Sequence, residues 1–146
     1  DVISFLSEPL EESITVLGKI RAELDVETDT EDTAFVVKVM EVMENGEAYN
    51  VRTGITTLGY RNRSKSRVTY ASDTIVPITI DMWDVAWKFQ KGSRIRIDIT
   101  SSEFPQYAVH SNYTGCWALA AKSRDAHQKI HYGKGHISSV VFPKLG

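Results

Sequence analysis

The chain has 146 residues, of which 42% are hydrophobic and 25% charged, and its formal net charge is −2. These values are typical of one globular domain with a core, and they argue against general binding to nucleic acid or anionic membranes. The single cysteine, Cys116, excludes an internal disulfide framework. No apolar run reaches the roughly 18 residues of a membrane-spanning helix. No signal peptide is recognisable, so the compartment is left open between cytoplasmic and exported bacterial.

The first third of the chain is predicted to form strands separated by turns. Residues 20–27 alternate strictly between apolar and charged side chains, which indicates an antiparallel strand with one solvated face. Asn45 and Gly46 form the strongest short-range hairpin signal. Gly18 is expected to end a strand, and residues 28–33 are expected to form a turn. The predicted strands span residues 3–6, 14–17, 20–27, 34–43 and 47–51.

The middle of the chain is also predicted to be rich in strands. Residues 53–60 are expected to continue as a strand or bent ribbon, with bulges suggested by its two glycines. Residues 82–89 are apolar without a clean period of two, whereas residues 94–100 alternate strictly. Lys91 and Gly92 form a turn between these two segments. Further strands are predicted at residues 68–70 and 75–81, the latter with Pro77 near its start.

The last third of the chain is less regular. Residues 101–105 end in proline and break the preceding strand, and residues 106–115 show no pattern. Residues 118–128 are the only plausible helix, favoured by alanines but lacking a cap and an apolar stripe. The final strands are predicted at residues 130–132 and 138–142.

Short strands with almost no helix predict an all-β fold, either a sandwich or a barrel, over residues 1–146 as one domain. Greek-key or jelly-roll topology is expected for a sandwich of this size. The periodicity does not fix the order of the strands.

The sequence contains no recognisable catalytic centre. The nucleophile elbow of a serine hydrolase needs the pattern Gly-x-Ser-x-Gly, which this sequence lacks. No marked nucleophile stands beside any histidine, so surface or structural roles are favoured for all four. Cys116 is a conceivable nucleophile, but a lone cysteine is usually a small buried hydrophobe. We therefore assign no catalytic residue. The four histidines are His110, His127, His131 and His136.

Metal and cofactor sites also lack support in the sequence. His131 and His136 lie five residues apart without further ligands. Asp29, Glu31 and Asp32 could hold calcium, although a solvated turn is the favoured interpretation. No metal ligand, cofactor-binding residue or cofactor is assigned.

Two groups of residues leave other binding hypotheses open. A basic loop flanked by tyrosines could bind nucleic acid, although a solvated loop is favoured because the chain is acidic as a whole. Three tryptophans could stack on sugar rings, although Trp83 and Trp87 stand among apolar residues and are expected in the core. Asn62 and Asn112 match the glycosylation pattern, which matters only in a eukaryotic secretory setting. The residues of the two groups are Tyr60, Arg61, Arg63, Lys65, Arg67 and Tyr70, and Trp83, Trp87 and Trp117.

An ordered set of short motifs gives the chain a family resemblance. The set covers the sequence from Ser7 to Pro143, and each motif is short while the order is specific. The motifs are Ser7-Glu8-Pro9-Leu10, Val16-Leu17-Gly18, Asp32-Thr33-Ala34-Phe35, Glu44-Asn45-Gly46-Glu47-Ala48, Thr53-Gly54-Ile55, Gly59-Tyr60-Arg61, Lys91-Gly92-Ser93-Arg94-Ile95, Ser101-Ser102-Glu103-Phe104-Pro105, Asn112-Tyr113-Thr114-Gly115, Ile130-His131-Tyr132 and His136-Ile137-Ser138-Ser139-Val140-Val141-Phe142-Pro143. Together they resemble the C-terminal domain of the group of serine hydrolases that contains X-Pro dipeptidyl-peptidases, cocaine esterases and α-amino-acid ester hydrolases.

The resemblance implies a jelly-roll sandwich of the galactose-binding-like kind, attached to an α/β-hydrolase domain that carries the family's Ser-Asp-His triad. No member of that triad can be placed on this chain. The implied role is to pack on the hydrolase domain and to shape its substrate pocket, and oligomerisation is a further implied role. Neither nucleic acid nor a membrane is implied as a partner. The parent is expected to hydrolyse esters or X-Pro peptides.

The sequence also departs from the family pattern. Ala34 replaces an acid, Ile137 replaces a proline, and the family domain usually begins with further strands before Ser7. The chain is therefore expected to be a C-terminal fragment of a larger hydrolase with its first strands missing. The alternative is a stand-alone carbohydrate-binding or assembly module on the same fold. The assembly hypothesis predicts an apolar patch where the missing strands would lie.

Overall fold

A computed structural model describes residues 1–116 and 119–146. In these residues no helix is long and apolar enough to cross a membrane. Within the described residues lie eight strands and the short 3₁₀ segment Leu58–Arg63. The strands are β1 (Val2–Leu6), β2 (Ile14–Thr28), β3 (Ala34–Val42), β4 (Ala48–Thr57), β5 (Val76–Phe89), β6 (Arg94–Thr100), β7 (Gln128–His131) and β8 (Ser139–Val141).

The strands form two antiparallel sheets. The first sheet has the order β1-β6-β3-β4, and the second has the order β5-β2-β7, with β8 also paired to β2. The predicted all-β sandwich is therefore confirmed. Jelly-roll topology and the galactose-binding-like subtype stay predictions.

The core lies between the two sheets and follows directly from alternation in β2. Its residues Ile20, Ala22, Leu24 and Val26 are all buried, while the charged residues between them face outward and are only partly covered. β5, beside β2 in the same sheet, extends this buried layer, and the inner faces of β3, β4 and β6 supply the opposing side chains from the other sheet. Burial of this continuous apolar layer is the main stabilising term of such a domain.

The missing period of two in β5 has a structural cause. Lys19 pairs with Asp84 and Arg21 pairs with Asp81, so two residues of β5, Met82 and Trp83, oppose one residue of β2. Such a bulge reverses which face the following residues occupy. Even-numbered residues before the bulge are buried, whereas Val85 and Phe89 are buried after it.

Several predicted boundaries were wrong. Gly18 does not end a strand, because β2 runs through it with the glycine at φ +122°. The extra residue in β4 is Val51 rather than a glycine, since Val39 pairs with Arg52 and Met40 with Asn50. Residues 68–70 form no strand, and the predicted helix 118–128 is not observed over 119–128, the last residue of which begins β7. Its first residue, Ala118, lies outside the described residues.

The turns were predicted better than the strand ends. The Met43 N–H bonds the Glu47 carbonyl oxygen at 2.8 Å, which closes the hairpin between β3 and β4. Gly46 has φ +88°, a conformation that favours glycine at the end of a three-residue hairpin loop. Gly92 likewise has φ +83° in the turn before β6.

Candidate functional site

An apolar groove lies at one lateral edge of the sandwich, between β1 and β6 of the first sheet and β2, β7 and β8 of the second. Its volume is about 510 Å³. Its residues are almost all apolar, with no charged side chain among them. We call this edge the open edge. One wall is formed by Phe5, Ile95 and Ile97, and the other by Leu24, Ile130 and Val140.

The groove follows from strand alternation on both of its walls. Odd-numbered isoleucines of β6 point inward between charged residues that point outward, as in any half-covered strand. Across the groove, Ile130 pairs with Val26 and Val140 pairs with Ala22, so both sit on the inward face of the second sheet. The two sheets thus present apolar faces to each other without being in full contact at this edge.

Strand β1 is the most exposed apolar element of the structure. All five of its residues are exposed, and four of them are large and apolar. It pairs with β6 on one side only, and no strand among the described residues pairs with its other side. A row of unpaired backbone groups flanked by apolar side chains is a ready template for a further strand.

An aromatic pair spans the mouth of the groove. The rings of Phe5 on β1 and Tyr132 after β7 lie 5.7 Å apart at 87°, an edge-to-face contact between the two sheets. Phe5 and Tyr132 were not singled out in the sequence. The available signal was that β1 is apolar at adjacent positions, which a strand with one solvated face would not show.

The carboxylate of Asp98 links β1 to β6 through hydrogen bonds. Asp98 on β6 accepts hydrogen bonds from Ser4 Oγ at 2.6 Å and from Arg96 Nε at 2.8 Å. Burial raises the pKa of Asp98, but these two hydrogen bonds and the charges of Arg96 and Lys38 together outweigh burial, so the net pKa lies below the ordinary value. The Asp98 carboxylate is therefore ionised at neutral pH, and its hydrogen bonds are intact.

The four histidines lie at three places in the structure. His131 ends β7 and His136 lies in the loop between β7 and β8, with their rings 5.3 Å apart. His127 is exposed and contacts Asp29. His110 is buried 3.8 Å from Asp32, and burial lowers its pKa. Cys116, expected to be buried, is exposed.

The acidic turn 28–33 is solvated only in part, because Asp29 and Glu31 are exposed whereas Asp32 is not. Asp32 is buried and accepts hydrogen bonds from Arg67 Nη1 at 2.7 Å and from the Gly59 N–H at 2.9 Å. Asp29 instead points to His127. The three acids considered for calcium do not converge, and no group of three metal-ligating side chains is found in residues 1–116 and 119–146.

The arginines of the basic loop bind partners within the chain. Arg61 donates to the carbonyl oxygens of Leu58 and Thr69, and Arg63 forms an ion pair with Asp81. Arg67 is held by Asp32. The loop therefore presents less free charge than its sequence suggests, and the nucleic-acid hypothesis loses support.

The tryptophans differ from the sequence prediction in one case. Trp83, expected in the core, is 78% exposed, because it sits at the bulge of β5. Trp87 is half-buried against the core, as expected, and its Nε1 donates to Glu41 at 2.8 Å. Trp117 lies outside the described residues.

Both glycosylation-type asparagines have structural partners. The Asn62 side chain donates to the Pro77 carbonyl oxygen at 3.1 Å. Asn112 donates to the Arg124 carbonyl oxygen at 2.7 Å. Neither amide is a free surface acceptor for a glycan.

Known proteins match this chain in sequence and in fold. The profile of the X-Pro dipeptidyl-peptidase C-terminal non-catalytic domain matches residues 1–141. The cocaine esterase of Rhodococcus sp. (strain MB1 Bresler) is 31% identical over 145 residues, which cover 98% of this chain and 25% of the esterase.

Two solved structures share the fold at low sequence identity. An aminopeptidase from a marine sediment archaeon, Thaumarchaeota archaeon, has a TM-score of 0.91 at 23% identity. The match covers all of this chain and 26% of the aminopeptidase chain. An α-amino acid ester hydrolase has a TM-score of 0.91 at 23% identity, and the match covers 99% of this chain and 26% of the hydrolase chain. The chain thus spans about a quarter of the length of these relatives.

Proposed function

The chain belongs to the family of X-Pro dipeptidyl-peptidase C-terminal non-catalytic domains, and on that premise we propose that it is the C-terminal sandwich of a larger serine hydrolase. The parent would hydrolyse esters or X-Pro peptides by acyl transfer through a serine nucleophile. That serine and its partners would lie in an α/β-hydrolase domain outside these residues. The sandwich would pack on that domain and shape its substrate pocket.

The observation that supports this proposal best is the open edge. An apolar groove of about 510 Å³ beside a fully exposed apolar strand is unusual for an isolated soluble domain. We propose that the occupant is the parent chain itself, beginning with strands that precede β1 and continuing into the catalytic domain. The relatives support this choice, because this chain corresponds to only a quarter of their length.

The test compares the chain alone with a longer chain that includes the upstream part of its parent. We expect hydrogen exchange of the β1 amides to slow in the longer chain, since their unpaired edge becomes covered. Equal exchange of β1 in both chains would contradict docking at the open edge. A serine-directed fluorophosphonate should label the longer chain and leave residues 1–146 unlabelled.

A matched pair of variants locates the surface. Leu6 borders the groove and is 55% exposed, whereas Leu17 lies outside the groove and is 56% exposed. In the longer chain, Leu6→Ser should accelerate exchange in β1, because it removes apolar contact with the occupant. Leu17→Ser should leave exchange in β1 unchanged. Similar effects of both variants would indicate that the groove has no special role.

One observation favours a second candidate, a carbohydrate-binding module. Trp83 presents an exposed indole on the outer face of β5, and aromatic faces stack on sugar rings. Trp87, the other tryptophan in this strand, is turned toward Glu41 and is a poor second platform. Quenching of tryptophan fluorescence by oligosaccharides, abolished by Trp83→Ala, would favour this module over the hydrolase domain.

A homo-oligomeric assembly domain is a further possibility on the same fold. Its surface would be the same open edge, with a second copy in place of the parent chain. Self-association of residues 1–146 on a sizing column, lost in Leu6→Ser and retained in Leu17→Ser, would favour assembly.

A further inference from the structure

A second concave site lies on the outer face of the second sheet, on the side of β2 that faces away from the core. We call it the basic hollow, and its volume is about 360 Å³. Its floor is β2, where Lys19 and Arg21 alternate with buried residues. The six residues that line it are Lys19, Arg21, Arg63, Asp81, Val141 and Pro143.

The two neighbours of β2 give the basic hollow two different sides. On one side β5 contributes Asp81, the direct cross-strand partner of Arg21. On the other side Val141 of β8 also pairs with Arg21, and the Leu17 N–H donates to the Pro143 carbonyl oxygen at 3.0 Å. Strand alternation turns Val141 and Pro143 toward the basic hollow, whereas the residues between and before them line the groove. The basic hollow therefore has a charged side and an apolar side.

The cations of the basic hollow surround a single carboxylate. Arg63 donates to both oxygens of Asp81 through Nε and Nη2. This hydrogen bonding is the main cause that lowers the pKa of Asp81; burial opposes it, and the charges of Arg63, Arg21 and Lys19 lower the pKa further. The lining thus has three positive charges and one negative charge. Glu23, at the margin, offsets one more positive charge through its ion pair with Arg21.

Each of the three cations keeps a donor that no acceptor in residues 1–116 and 119–146 uses. The Lys19 ammonium forms no ion pair, even though Asp84 is its cross-strand neighbour. Arg21 meets Glu23 through Nε, at 2.8 Å, and its two terminal nitrogens donate no hydrogen bond to these residues. Arg63 has Nη1 left over after its two bonds to Asp81. The unused donors all belong to side chains that line one hollow.

We propose that the basic hollow binds the phosphate group of a small phosphate monoester. A phosphate monoester has three acceptor oxygens and a charge of about −1.5 to −2 at neutral pH, which suits three cationic donors and an excess of positive charge. The organic part of the ligand rests on Val141 and Pro143. A volume of about 360 Å³ is in the range of small-molecule sites, which begins at about 300 Å³.

This site is separate from the groove and goes beyond the proposed function. The groove lies between the two sheets, whereas the basic hollow lies on the outside of the second sheet. Its residues all belong to this chain, so the site is tested without a hydrolase domain. A failure of docking at the open edge and a failure of phosphate binding are therefore distinct results.

The test is an NMR titration of residues 1–146 at neutral pH with inorganic phosphate, phenyl phosphate and benzoate, each compared with sodium chloride at the same ionic strength. Amides of Lys19, Arg21 and Val141 should shift with both phosphates and not with chloride. Phenyl phosphate should bind at least about threefold more tightly than inorganic phosphate, because its ring contacts the apolar side, and more tightly than benzoate, which has one charge. No shift beyond that of chloride, or tightest binding of benzoate, would overturn the proposal.

Three variants separate this site from general attraction to a basic surface. Lys19→Gln should weaken binding of phenyl phosphate at least about threefold. The matched control is Lys65→Gln, which removes the same charge from an exposed lysine in the same loop as Arg63 but outside the basic hollow. Asp81→Asn should tighten binding, because it removes the competing carboxylate and releases Arg63. Equal weakening by the two lysine variants, or weaker binding in Asp81→Asn, would contradict the assignment.

Discussion

The two lateral edges of the sandwich are built differently. At the edge formed by β4 and β5, which we call the closed edge, Arg52 donates from two nitrogens to the Asp84 carbonyl oxygen across the gap between the sheets. The Asn62 side chain donates to the Pro77 carbonyl oxygen of β5 and accepts from the Thr79 N–H of the same strand. At the open edge, β1 faces β7 and β8 across the groove, and Phe5 contacts Tyr132 at the mouth of the groove.

The difference between the edges shows which part of this domain is closed by its own residues. Gly54 lets the two sheets approach closely at the closed edge, where a Cβ would lie 2.8 Å from Ile80 Cγ2. The open edge instead keeps apolar side chains apart by the width of the groove. A domain that folds alone would gain free energy by closing both edges, and this is why we propose that another part of the protein covers the open edge.

The largest expected effect lies next to the closed edge, at Asp32, which anchors the 3₁₀ segment that follows β4. Asp32→Ala removes a buried carboxylate that accepts from Arg67 and from the Gly59 N–H, and should lower the free energy of unfolding by about 3 kcal/mol or more. Asp29→Ala, in the same turn but exposed, should have a much smaller effect. Urea denaturation measures both. Equal losses would mean that burial does not distinguish these two carboxylates.

The close approach of the sheets is tested by Gly54→Val. The new side chain would collide with Ile80 and Met82, and overpacking of this kind should lower the free energy of unfolding by about 1–3 kcal/mol. The corresponding change at the open edge is Ser139→Val on the groove rim, where space is available and the loss should stay within about 0.5 kcal/mol. Thermal and urea unfolding would compare the two. A larger loss for Ser139→Val would reverse the assignment of the edges.

Acid should loosen the open edge through Asp98. Its folded-state pKa lies below the ordinary value of 3.8, so its contribution to stability is present above that value and is lost as the pH falls through the folded-state pKa. The β1 amides should therefore lose protection below about pH 4. Asp98→Asn should remove this pH dependence, and Ser4→Ala should reduce it. If NMR titration gave Asp98 an ordinary or raised pKa, the proposed stabilisation of its carboxylate would be contradicted.

The smallest effect is expected from the exposed carboxylate at the closed edge, Asp81. The hydrogen bond from Arg63 lowers its pKa, so this contribution also disappears in acid, but solvent screens the pair. Arg63→Ala should change the urea midpoint only slightly at neutral pH. A loss as large as that of Asp32→Ala would show that the closed edge depends on this surface pair rather than on packing.

Local patterns predicted much of the fold. The strict alternation of β2 and β6, the turn at Gly92 and the Asn45-Gly46 hairpin were all placed correctly. The weak helix over residues 118–128 was not, because alanine content alone does not fix a helix without a cap or an apolar stripe. The sequence motifs also identified the family, which the profile match over residues 1–141 confirms.

The sites depended on contacts that the sequence does not encode locally. Trp83 was expected in the core, but the bulge in β5 exposes it, and a bulge is defined by the pairing of one strand with another. Asp32 was expected in solvent, but its partner Arg67 lies 35 residues away along the chain. The groove likewise requires β1 and β7 to face each other from different sheets.

Alone, the sequence determined most of the strand segments, where the sharpest turns fall and to which family the chain belongs. Those properties are encoded by alternation, by turn residues and by ordered motifs, each within a few residues. Only the tertiary structure decided which edge closes and which stays open. That outcome depends on how closely two sheets approach, and their approach is set by residues such as Gly54 and Arg52 that meet partners about thirty residues away along the chain.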